Sequence, residues 1–249
     1  MAFNKISAAW ALLLLAFGTA CSPGYQAQKV AYQDYRIKQT ATQPAVAALM
    51  KPYADSVNKS MNNVLGTVAI ELEKRQPEGS LGNFLVDGML AMSTKHYGTK
   101  VDAAFMNYGG IRLNSIPAGA ITQGKVFEIL PFDNTIVLQK VSGKVLQQFV
   151  NHVAGRGGWP SAGIRYQIKN KTAINITVGG APLDEMAIYT IANNDYVANG
   201  GDDCNMLRNI AQQTDGYLVR TAIIEYVQGL TAKGQPITGK IENRVSNAE

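Results

Sequence analysis

The sequence predicts a single α+β domain, and three observations carry that prediction. Apolar residues recur at helical spacing in some segments and alternate in others, without the strict strand–helix succession of a doubly wound parallel sheet. About 210 residues follow an N-terminal leader and a short tether, enough for one sizeable core. No internal repeat or low-complexity block divides them.

The leader comes first. Lys5 provides a positive start, Ala8 to Phe17 form a short apolar stretch, and the small residues Gly18, Thr19 and Ala20 lead into Cys21. A membrane-spanning helix needs about 20 consecutive apolar residues, so this run predicts a cleavable export signal over residues 1–20. Cys21 followed by Ser22 resembles a bacterial lipobox, which would make Cys21 the acylated N-terminus and residues 21–42 a lipidated tether. An ordinary signal with a coincidental cysteine is the alternative. The chain is then expected to be exported and held at a membrane, facing the periplasm or the cell exterior. Lipid on Cys21 would leave Cys204 without a disulfide partner, so the exported domain, residues 43–249, must be held by its core.

The elements follow in order. Pro44 suits a first helical turn, and Val46, Leu49, Met50, Tyr53 and Val57 continue at helical spacing. Val68 to Leu72 reads as a short strand. Leu81, Phe84, Leu85, Met89 and Met92 form the apolar face of a helix beginning at Ser80, which Gly98 stops. Ala103 to Met106 reads as a buried strand. Thr122 caps a helix through Ile129 that Pro131 ends, Thr135 to Val141 alternate as a strand, and Gly143 to Val153 return to helix. Strands are expected at Gly163–Ile168, Ile174–Val178 and Ile188–Asn193, with a turn at Gly179-Gly180. Two helices, Asp203–Gln213 and Gly216–Gln228, close the chain.

The formal charge of +5 is spread rather than clustered, and aromatics do not alternate with the cations. That balance suits small anionic ligands and argues against a nucleic-acid polymer.

Three loops join the end of a regular element to residues that bind. In Asn107-Tyr108-Gly109-Gly110-Ile111-Arg112, paired glycines let backbone N–H groups approach a ligand, and the Arg112 fork suits phosphate or hydroxyl oxygens. A glycine turn beside a surface arginine explains that loop equally well. In Leu130-Pro131-Phe132-Asp133-Asn134, a proline holds a phenylalanine at a helix-to-strand corner, either as a presented ring or as core. The run from Asn193 to Asp203 is so polar and glycine-rich that it is expected to lie outside the core. Tyr196 has little to pack on there, and Asp202 has the oxygens to accept both hydroxyls of a diol.

Together, NYGGIR, the later ITQGKVFEILPFDNTIVLQKVSGKVL and YTIANNDYVANGGDD closely resemble the C-terminal domain of 5'-nucleotidases and UDP-sugar hydrolases. The segment Gly82 to Asp87 is similar to that domain's opening helix. The resemblance runs from about residue 65 to 245. It implies a nucleobase clamped between Phe132 and Tyr196, with Asn134 at the base edge. It further implies Asp202 on the ribose hydroxyls, and Asn107 and Arg112 on the nucleoside and phosphate.

Two departures accompany it. Tyr108 stands where members usually have glycine, and Pro77 falls on the position of a family arginine, with Arg75 two residues away. Either the chain prefers nucleosides, or the missing charge comes from elsewhere.

The family's catalytic half is a metallophosphoesterase with two metal ions. Such a centre needs many ligands, and the only histidines are His96 and His152, neither in a ligand motif. No metal or other cofactor is therefore expected in this chain. Cys204 reads as packing. The resemblance implies nucleotide recognition, with ester hydrolysis dependent on a separate metallophosphoesterase chain that would bring the divalent metal pair. The alternatives are a non-catalytic nucleoside- or nucleotide-binding lipoprotein and a domain with a purely structural role.

Overall fold

A computed structural model describes residues 43–248. The expectations for the signal, Cys21 and the tether fall on residues 1–42, outside them. The compact unit that carries the sheets and the site begins at Ala48.

Helix α1 (Pro44–Met61) forms at the expected spacing and has no buried residue. Strands β1 (Val64–Val68) and β2 (Leu72–Glu73) replace the single strand expected over Val68–Leu72. The break has a cause. β1 pairs with β5 (Gly119–Thr122), β2 pairs with β4 (Ser115–Ile116), and between them the amide of Ala69 donates to the carbonyl of Ile237. Helix α2 (Ser80–Tyr97) ends as expected at Gly98, which adopts φ 60°.

Strand β3 (Ala103–Phe105) leads into the first loop. Helix α3 (Gln123–Ile129) is capped by Thr122, whose hydroxyl accepts from the amide of Lys125. Strand β6 (Ile136–Ser142) and helix α4 (Gly143–Gly155) follow. Next come β7 (Ser161–Ala162), β8 (Ile164–Lys169), β9 (Thr172–Val178) and β10 (Ala181–Pro182). Gly179-Gly180 turns β9 into β10, a short strand that the sequence did not announce. The last elements are β11 (Ile188–Asn194), α5 (Asp195–Ala198), β12 (Gln212–Gln213), α6 (Val219–Ala232) and β13 (Val245–Asn247).

The unit is of the α+β class, as expected. Its central sheet has the order β12-β6-β11-β3-β7, and a second sheet has the order β10-β9-β8-β13. β11 runs antiparallel to β6 from Ile188↔Ser142 to Asn194↔Ile136, and parallel to β3. Alternation along β11 sends Ala192 to one face and Ile191 to the other. On the first face, Leu81, Leu85 and Met89 of α2 and Ile223 and Val227 of α6 pack with Ala104, Leu138 and Ala192. On the second, Leu146, Phe149 and Val150 of α4 pack with Phe105, Ile191 and the inner residues of β8 and β9. Each of the larger apolar side chains contributes about 1.5–3 kcal/mol by leaving water.

This topology places the site. β3 and β11 run in the same direction and β6 runs against them. The segment after β3, the segment after β11 and the segment before β6 therefore emerge from one end of the sheet.

Two expectations fail at and beyond the end of β11. No helix forms over Asp203–Gln213, which is a series of turns ending in β12. The spacing of Cys204, Leu207 and Ile210 imitates a helical face. However, the side-chain amide of Gln139 binds the carbonyls of Leu207 and Ile210, at 2.9 and 3.2 Å, and holds them on another path. The polar run before it is partly core after all: Asn193, Asn194, Val197 and Ala198 are buried. Asn193 and Asn194 end the buried strand β11, and Val197 and Ala198 are the buried residues of α5.

Candidate functional site

The floor of the site is a chain of amides at the ends of the parallel strands. Asn107 follows β3 and Asn194 ends β11, so the pairing of those strands brings them level. The Asn194 side-chain amide donates to Asn107 Oδ1 at 3.0 Å, and Asn107 Nδ2 donates to Asp202 Oδ2 at 3.0 Å. Asn194 Oδ1 in turn accepts from the amide of Val197 and caps α5. The charge on Asp202 is thus aimed through two buried amides.

One jaw rises from α5. The Tyr196 ring is half-exposed, and its hydroxyl donates to Asp202 Oδ1 and accepts from the Asp202 amide, both at 3.2 Å. Behind the ring lies Gly201, where a Cβ would stand 2.5–2.6 Å from three ring atoms. A close backbone therefore supports that side of the ring.

The other jaw is the corner between α3 and β6. Phe132 is half-exposed too, which excludes the core role that its sequence context equally allowed. The loop is pinned on both flanks. Asp195 exchanges bonds with Thr135, and the amide of Val219 donates to the carbonyl of Asn134 at 2.9 Å.

Between the jaws lies a cleft of about 260 Å³ lined by Asn107, Gly109, Gly110, Phe132, Asn134, Tyr196 and Asp202. Five of the six residues singled out from the sequence meet there. An apolar recess adjoins it, sharing Gly110, Phe132 and Asn134 and adding Met89, Met106, Leu130 and Val219. Arg112 does not line the cleft. Its guanidinium lies 5.9 Å from the centre of the Phe132 ring and donates to the carbonyl of Gly109, at the rim.

Sequence reasoning missed Lys74. Its ammonium sits 4.0 Å from the centre of the Tyr108 ring and donates to the carbonyl of Ile111 at 2.8 Å. Partial burial, and secondarily the charge of Arg112, lower its pKa from the ordinary lysine value. Arg75, two residues from Pro77 in the sequence, pairs instead with Glu73 at 2.7 Å on the surface. Among the described residues neither Lys74 nor Arg112 has a carboxylate partner. The signal was present in Tyr108: an aromatic ring in place of glycine gives a neighbouring cation a face to rest on.

Comparisons with known proteins place the chain in a family. Residues 57–209 match the family model described as the 5'-nucleotidase C-terminal domain. The chain belongs to that family. It is 32% identical over 188 residues to the trifunctional nucleotide phosphoesterase protein YfkN of Bacillus subtilis, covering 69% of this chain and 12% of that protein. It is 33% identical over 165 residues to a probable 5'-nucleotidase of Treponema pallidum, covering 58% of this chain and 28% of that one. The crystal structure of a 5'-nucleotidase precursor from Thermus thermophilus superposes with a TM-score of 0.70 at 28% identity, over 82% of this chain and 43% of that one. The chain thus spans less than half the length of each of these relatives.

A 5'-nucleotidase C-terminal domain invites a test for metal ligands, and the donor set does not fit a dimetal centre. His96 Nε2 lies 2.7 Å from Asp215 Oδ2, and the His96 ring stacks on Tyr217 at 4.0 Å. His152 Nε2 lies 2.8 Å from the carbonyl of Asp202 and 3.0 Å from Arg156 Nε. Both are committed to protein partners on separate helices. Among the described residues no group of three or more His, Cys, Asp or Glu is placed to hold a metal ion. Cys204 is fully buried in the second core, as its sequence context suggested.

Proposed function

We propose that this domain recognises nucleosides or nucleotides in the cleft between Phe132 and Tyr196. The base stacks between the two rings, with Asn134 at its edge and Asn107 holding the nucleoside. Asp202 accepts the ribose hydroxyls. Arg112, with Lys74 beside it, receives the phosphate, so that Lys74 supplies the charge absent at Pro77. The observation that carries this reading is that five residues from three distant segments, all implied by the family resemblance, line one cleft. Stacking on an aromatic ring is worth about 1–3 kcal/mol per base and tolerates different bases.

Hydrolysis of a nucleotide ester then depends on a metallophosphoesterase on a separate chain, since among the described residues no group is placed to hold the metal ions of that chemistry. The second reading is a binding protein without catalysis, and the commitment of both histidines to protein contacts favours it for the chain alone. Calorimetry with AMP, adenosine and UDP-glucose tests recognition. A phosphatase assay with and without divalent metal and a candidate partner separates the two readings. Metal-dependent turnover by this chain alone would contradict both. We further propose export and lipid attachment at Cys21, which the mass of the mature N-terminus checks: an unmodified Cys21 rules the anchor out.

A further inference from the structure

Arg220 sits in the first turn of α6, where the helix dipole disfavours a cation. It is nevertheless buried, with 8% of its surface exposed. A buried charge persists only where its donors are met, and here the acceptors all lie on one short segment. Nη1 donates to the carbonyls of Leu130 and Phe132 at 3.2 and 3.4 Å, and Nη2 pairs with Asp133 at 2.5 Å. The guanidinium lies over the Phe127 ring of α3 at 3.9 Å, which fixes the plane of the fork. The segment it grips is the one that presents Phe132, whose ring is half-exposed.

We propose that Arg220 is the positioning residue of the base clamp. It touches no ligand. It holds the Leu130 to Asp133 corner so that the Phe132 ring stands at the orientation that stacking requires. The inference rests on the nucleoside reading above and adds the residue through which α6 controls it. A lysine cannot replace it, because three acceptors and a ring face need a planar fork.

The test uses Arg220→Met, which keeps an unbranched apolar side chain and removes the fork, and Arg220→Lys, which keeps the charge. Adenosine and AMP are titrated calorimetrically into both, with and without Phe132→Ala. In parallel, 19F NMR of protein containing 4-fluorophenylalanine follows the Phe132 resonance, assigned by its loss in Phe132→Ala. The other phenylalanine resonances report the fold, and the lysine variant serves if the methionine variant fails to hold them.

The expected result is binding roughly tenfold weaker in Arg220→Met, from misplacement of a contacting group. No further loss is expected once the Phe132 ring is gone, and the Phe132 resonance should narrow and move towards its unfolded position. An unmoved Phe132 resonance in both variants overturns the proposal, as does an equal loss of affinity with and without the ring. Wild-type protein that binds neither probe overturns the nucleoside reading instead. The NMR result then decides by itself whether Arg220 holds the corner.

Discussion

At the scale of single residues, the site works by close approach. Tyr196 keeps its ring flat because Gly201 has no side chain behind it. Gly201 has no left-handed backbone to protect, so Gly201→Ala acts through the contact alone, pushing the ring from its place. Binding of AMP is predicted to weaken by about 1–2 kcal/mol, within the range of one stacking contact, with little change in melting temperature. Unchanged affinity would mean that the ring can stack elsewhere. The same loop shows what the sequence displayed and what it hid. Phe132, Tyr196, Asp202, Asn107 and Asn134 were all legible because each sits in a segment that resembles the family's binding loops. Lys74 was not, because its role comes from the Tyr108 ring and from Arg112, which are distant in the chain. Arg220 escaped for the same reason: nothing near it in sequence marks a buried fork.

At the scale of elements, the helices with local signals formed where expected: α3 on its Thr122 cap, α2 up to Gly98. The failed helix over Asp203–Gln213 had apolar spacing but no instruction about Gln139, whose side chain takes the carbonyls a helix would have used. Tertiary hydrogen bonds outweighed local pattern there. A second long-range tie anchors the C-terminus. Arg244, with its side chain 11% exposed, grips Asp87 of α2 bidentately at 2.6 and 2.8 Å and also pairs with Glu242. Arg244→Ala is predicted to cost about 2–3 kcal/mol, as expected for charge-assisted bonds in a part-buried setting. Urea denaturation reads it, and a loss below about 0.5 kcal/mol, the range of an exposed surface pair, would show the tie to be incidental.

At the scale of the whole molecule, two covered faces of one sheet leave buried groups that resist ionisation. Burial, with the Asp202 carboxylate second, pushes the Cys204 thiol up to about 12, and burial raises the Tyr166 phenol well above its usual value. In both cases the folded value exceeds the unfolded one, so the stabilisation is complete below the unfolded pKa and is lost as the pH rises through the interval. Unfolding free energy is therefore predicted to be flat in these groups near pH 7–8. It falls above about pH 9, by up to about 1.4 kcal/mol per pH unit for each group titrating. In Cys204→Ala the decline begins about one unit later, with the tyrosine, whereas an identical profile would show that the thiol is not buried. The account as a whole turns on two rings from distant loops enclosing one flat base. Its most direct test is the calorimetric affinity of AMP for wild type, Phe132→Ala and Tyr196→Ala. Each variant is predicted to lose about 1–3 kcal/mol of binding while remaining folded. Wild-type affinity in both would contradict the clamp.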